Sequence, residues 1–197
     1  MVNIENINET GTQTPVETPR SGPLGLWDRL VGPSASVTEQ ALVLAFGVVF
    51  TGVVFFYART KALDWTVIQQ LLVAFLALDI AGGIVANTTT SGVEWWHRPS
   101  QRRRDHFAFV ALHIYPFALA LVFETVSWAE GALVYGYLLG SAVMILLSPR
   151  HLRRPVAMLF TAVGILLALV GVSFGPGLEW FVPFLYLKLL GGHLAAE

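Results

Sequence analysis

Apolar residues along this chain come in long blocks, with neither the alternation of a half-buried strand nor the stripe of a surface helix. Stretches without Asp, Glu, Lys or Arg run 40–58, 65–78, 80–93, 106–123, 131–149 and 155–178. A bilayer core about 30 Å thick is crossed by roughly 20 mostly apolar helical residues. Asp79 alone divides the second stretch from the third, so the two read as one helix. The pattern therefore predicts five transmembrane helices, over 40–58, 66–88, 106–125, 131–148 and 156–174. A sixth apolar segment, 178–194, contains Pro183, Lys188 and the pair Gly191-Gly192. It reads equally as a short sixth span, a re-entrant piece or an interfacial helix. The expected fold class is an all-α, polytopic membrane helix bundle over 40–197.

Residues 1–39 break the pattern. They hold Glu5, Glu9, Glu17, Asp28 and Glu39, two arginines, four prolines and many Asn, Thr and Ser. Such a segment has too little apolar surface to order itself, and it lacks the basic start and early apolar core of a signal peptide. It is expected to be a flexible polar segment. Within it, Leu24 to Val31 fits a short amphipathic turn at the headgroups, with Trp27 as its anchor.

Composition agrees with the membrane reading. Of 197 residues, 55% are hydrophobic and only 13% charged, a departure from soluble domains on both counts. A net charge of −1 gives no support to a nucleic-acid partner. The chain has no cysteine, which removes disulfides, thiolate metal sites and cysteine nucleophiles. Basic residues gather in two connections, at Arg98 with Arg102, Arg103 and Arg104, and at Arg150 with Arg153 and Arg154. The positive-inside rule puts those connections and the N-terminus in the cytoplasm. The expected location is a cell (inner) membrane, with the lipid bilayer as first partner; Arg59 and Lys61 run against the tally.

Ionisable groups inside a span are costly and tend to be paired or functional. The second predicted span contains Asp79 and Asn87, on a broad sector with Gly82, Gly83 and Ala86. The third holds His106, His113 and Glu124, which fall on one face at seven- and eleven-residue spacing. Asp79 lies about 13 Å and His113 about 10 Å from the basic ends of their antiparallel helices, at 1.5 Å per residue. The two are thus expected to pair in one cytoplasm-facing pocket, with Asn87 and His106 at its mouth and Trp95, Trp96, His97 and Arg98 above. Alternatively, His113 bonds a backbone carbonyl freed by Pro116, and Glu124 is a solvated boundary residue. Lys188 either snorkels to the headgroups or reaches the pocket as a cation.

A carboxylate beside a histidine in low dielectric is a candidate acid–base unit. The catalytic candidates are Asp79, His113 and His106; the substrate-binding candidates are Asn87, Trp96, His97 and Arg98. Imidazole and carboxylate also suit zinc, iron or manganese. However, histidines seven apart stand about 10 Å apart along a helix, and no i, i+3 or i, i+4 metal signature is present. The spacing specifies neither a metal nor a cofactor. Four functional readings follow, in this order: an enzyme acting on a lipid or isoprenoid-like substrate, a proton-coupled carrier using Asp79, His113 and Glu124, a non-catalytic assembly subunit, and a haem-binding subunit. Gly136 and Gly140, four apart in the fourth span, make a surface suited to homo-oligomers.

Overall fold

A computed structural model describes residues 18–172 and 174–195. The regular structure of these residues is all helical, with no strand among them. In chain order the helices are α1 (Pro23–Val31), α2 (Val37–Thr60), α3 (Val67–Ala86), α4 (Thr90–Trp96), α5 (Arg103–Ala111), α6 (Tyr115–Val122), α7 (Trp128–Leu147), α8 (Arg150–Gly171) and α9 (Phe181–Tyr186). The last runs on into a π-helical stretch, Leu187–His193. Five stretches are long and apolar enough to cross a membrane: α2, α3, α5 with α6, α7 and α8. The sequence pattern located all five.

Their boundaries move for identifiable reasons. Ser36 and Glu39, Thr66 and Gln69, and Ser127 and Glu130 form capping boxes at the starts of α2, α3 and α7. Each box satisfies two orphaned backbone N–H groups and draws a charged or amide side chain into the first turn, before the apolar run begins. At the other basic connection, Arg150, Arg153 and Arg154 belong to the first turns of α8, because Pro149 serves as its N-cap and Pro155 lies inside it. The expected loop there shrinks to Ser148 and Pro149.

The third span is broken. Pro116 has no N–H to give to the carbonyl of Leu112, and the helix stops at Ala111 and restarts at Tyr115. The break turns the face, so the expected histidine–glutamate stripe does not continue. Glu124 stands exposed beyond the end of α6.

The sixth apolar segment proves to be the centre of the bundle. Phe181, Leu185, Leu189 and Leu190 have no exposed surface. At one end, Thr125 donates to the carbonyl of Phe174 and Tyr57 donates to Glu179. At the other, His193 meets His106 of α5. The segment therefore passes through the interior, enclosed by α3, α7 and α8. By contrast, α2 and α8 turn Val49, Val53, Phe56, Leu166, Leu169 and Val170 outward, a surface suited to lipid tails.

Small residues set the spacing. Gly47 of α2 and Gly82 of α3 lie against Leu78 and Val43 of the opposite helix, so these helices pack closely. Gly164 lies beneath the rings of Tyr137 and Tyr186. Gly136 and Gly140 face open space.

The described part of the polar N-terminal segment is ordered as α1, while residues 1–17 lie outside the described residues. Arg20 holds this helix by its backbone N–H, 2.9 Å from Asp28 Oδ2, and by its guanidinium, 2.5 Å from Oδ1. These hydrogen bonds keep the Asp28 carboxyl down at about 2. Trp27, expected among headgroups, is half-buried and donates its indole N–H to Gln40. Leu24, Leu26 and Leu30 remain exposed.

Candidate functional site

Two polar clusters meet on the π-helical stretch. The first centres on Asp79. Lys188 Nζ lies 2.5 Å from Asp79 Oδ2, and the Tyr115 hydroxyl donates to the same oxygen at 2.9 Å. The lysine side chain is 3% exposed and the aspartate 24%. A charge at this depth is tolerated when paired, and Gly83 makes the pairing possible. A Cβ there would collide with the lysine stem. Asn87 donates to the Lys188 backbone carbonyl at 3.2 Å, fixing the stretch that presents the lysine.

His113 takes the backbone route. Its own N–H bonds the carbonyl of Val110 in a tightened turn. The carbonyl of Phe109 is met instead by His113 Nδ1, at 2.8 Å. Asp79 and His113 therefore share a site without the direct pairing expected of them. Tyr115 stands between, its ring centroid 5.0 Å from the imidazole.

Around these groups lies a cavity of about 230 Å³. Asp79, Asn87, His113, Tyr115 and Lys188 supply its polar lining. Val43, Leu78, Trp96 and Phe109 supply apolar wall, and Trp27, Leu30 and Val31 of α1 close one side. Such a space has the character of a small-molecule site, an apolar chamber with a few convergent polar groups.

The second cluster is made of histidines. His106 Nδ1 lies 3.2 Å from His193 Nε2, and the ring of His97 stacks on His106 with centroids 4.6 Å apart. One nitrogen from each of His97, His106 and His193 lies within 4.8 Å of the other two. Phe109 and Trp96 pack on the His193 ring. His106 also lines a second cavity, of about 240 Å³, with Gln101, Arg102, Arg103, Arg150 and Arg153.

The single expected pocket is thus two neighbouring sites. Asp79, His113, Asn87 and Trp96 line the first; His106 and His97 belong to the second. His106 does not sit with Asn87 at a shared mouth. Arg98 contributes to neither lining. Its guanidinium lies 3.8 Å from the Trp95 ring centroid and donates to the Trp95 carbonyl at 2.5 Å. Partial burial there pulls the group below its ordinary value.

Two participants went unrecognised in the sequence. Tyr115 is one phenol in an aromatic-rich run, with nothing local to mark it. His193 carried a faint signal, a histidine five residues after a lysine within an apolar segment. Comparison with known protein families, with curated proteins and with solved structures finds no match for this chain.

Proposed function

We propose that this integral membrane protein is a small enzyme acting on a lipid or isoprenoid-like substrate held in the Asp79 cavity. The observation that carries the reading is the cavity's division into an apolar wall and one buried Asp–Lys–Tyr cluster. The polar head and first few carbons of an amphiphile fit such a space, the carbons against Val43, Leu78 and Phe109 and the head on the cluster. Asp79 pairs with Lys188 and accepts from Tyr115, so the lysine and the tyrosine hydroxyl are the groups placed to bond the polar head, with the His113 imidazole beside them. Asn87 fixes the lysine's backbone, and Trp96 closes the wall. His106, beside the arginine-lined cavity, is the candidate to meet an anionic part of the substrate. Positive-inside reasoning makes the basic end cytoplasmic, so substrate enters from the inner leaflet of the cell membrane with the N-terminus on that side.

A carrier reading requires polar groups toward both membrane faces. Glu124, its outer member, is exposed outside the bundle, which favours the enzyme. The test is native mass spectrometry of gently extracted protein, comparing wild type with Tyr115→Phe and Asp79→Asn. One class of apolar molecule bound to wild type and depleted in both variants is the expected result. An identical set of bound lipids in all three proteins would overturn the proposal.

A further inference from the structure

We infer that His97, His106 and His193 form a binding site for a transition-metal ion of the zinc class, distinct from the Asp79 cavity. The three residues come from three separate elements. His97 caps the C-terminus of α4, His106 lies in the first turns of α5, and His193 ends the π-helical stretch. Two crossings of the bundle and a loop have been folded so that three imidazoles converge, and convergence from distant segments is not the product of local sequence.

The distances suit a metal. Two imidazole nitrogens bound to tetrahedral zinc at about 2.0–2.1 Å stand about 3.3–3.4 Å from each other. His106 Nδ1 and His193 Nε2 are 3.2 Å apart, so an ion can bridge them with little movement. The His97 nitrogen is within 4.8 Å of both, and His97 sits at a helix end where a small turn of the loop brings it in. His106 and His193 are 7% and 1% exposed, so their geometry is held by packing. The Trp96 and Phe109 rings give His193 an apolar surround. Its Nδ1 has no hydrogen-bond partner among the described residues.

The donor set identifies the class of ion. Three neutral nitrogens suit zinc, iron, copper or nickel, whereas magnesium and calcium require oxygen ligands. Three protein ligands leave a fourth position for water or another exchangeable ligand, the arrangement of reactive rather than purely structural zinc sites.

The π-helical turn explains how His193 arrives. In an α-helix, five residues turn through about 500°, which would leave Lys188 and His193 about 140° apart. The wider turn, with its i→i+5 bonds, returns them toward one side. One short stretch thereby serves the aspartate of the first site and the histidines of the second.

The experiment uses full-length protein in detergent or nanodiscs, stripped with chelator and titrated with Zn2+ or Co2+ alone. Metal content is read by elemental analysis and coordination by the visible absorption of bound Co2+. Wild type is expected to bind one ion per chain, with a four-coordinate cobalt spectrum. His97→Ala, which changes a half-buried loop position, should weaken binding by at least about tenfold, the scale seen when even an orienting group is lost. His193→Gln should do the same. Gly136→Ala, on a helix face open to space and in neither site, should leave metal binding unchanged, which ties any loss in the histidine variants to the three imidazoles. No stoichiometric metal in wild type, or equal binding by wild type and both histidine variants, would overturn the inference whatever occupies the cavity.

Discussion

Lys188 on the central segment and Asp79 on α3, 109 positions apart in sequence, meet at 2.5 Å inside the bundle. The pair fixes the depth and rotation of the last segment relative to α3. Its net neutrality allows two charged groups to exist where each alone would be costly. Such pairs give little net stability compared with apolar residues of the same size. The presence of one beside a cavity therefore points to register or chemistry rather than to stability.

Removing one partner should be far worse than removing both. Asp79→Asn leaves a nearly inaccessible ammonium without its counter-charge, a change expected to cost about 3–5 kcal/mol. The double variant Asp79→Leu with Lys188→Met should recover most of that loss. Thermal unfolding in one detergent measures the difference. Losses that simply add would mean the two groups do not neutralise one another.

Gly83 should tolerate nothing larger than hydrogen. In Gly83→Ala the new methyl falls on the Lys188 stem. Overpacking of this kind costs about 1–3 kcal/mol and pushes the lysine off its carboxylate. Gly136→Ala meets open space and should shift stability by less than about 0.5 kcal/mol. Equal melting temperatures for the two variants would show that the lysine has another place to go.

The crossings were legible because membrane insertion demands a length and a composition, and both are local properties of the chain. Asp79, Asn87 and His113 were legible for the same reason: a polar group in an apolar run is conspicuous, and all three line the cavity. Their partners were not legible, because pairing depends on rotation. Pro116 breaks the third span, so the stripe that would carry Glu124 on the face of His106 and His113 does not continue past the break. The role of Lys188 rested on whether 178–194 lay at the surface or at the centre. Apolar composition suits either place, and only the packing of Phe181, Leu185 and Leu189 against three neighbours decides it. His193 depended further on a π-helical turn, for which its sequence carries no plain signal.

The local fold of α1 should respond to acid with a definite sign. Asp28 is held at about 2 against an ordinary 3.8 by Arg20 of the same segment, so its charged form favours the folded helix. The contribution is complete above the ordinary value and fades as pH falls toward the lowered one. Since the chain has no cysteine, a spin label on Leu26→Cys reports this helix alone. Its spectrum should hold steady from neutral pH to about 5 and gain a mobile component below about 3. Asp28→Asn carrying the same label should be mobile at neutral pH. An immobile spectrum in that variant would assign the order of this helix to the contacts of Val31 and Trp27 instead.

Asn87 offers a way to loosen the π-helical stretch without touching either cluster's reactive groups. Its amide donates to the Lys188 carbonyl, and its Cβ lies near the position a side chain on Gly192 would take. Asn87→Ala removes the donor and leaves a buried carbonyl short of a partner, a loss of about 1–3 kcal/mol. If this bond holds the wide turn, relaxation toward α-helical spacing swings His193 away from His106, while the short range of the Asp79–Lys188 contact keeps Lys188 in place. Cobalt affinity should therefore fall in Asn87→Ala more than retention of the co-purified amphiphile does. A loss confined to thermal stability, with cobalt binding intact, would mean that the wide turn is held by the packing of Leu189 and Leu190 and that Asn87 serves the cavity alone.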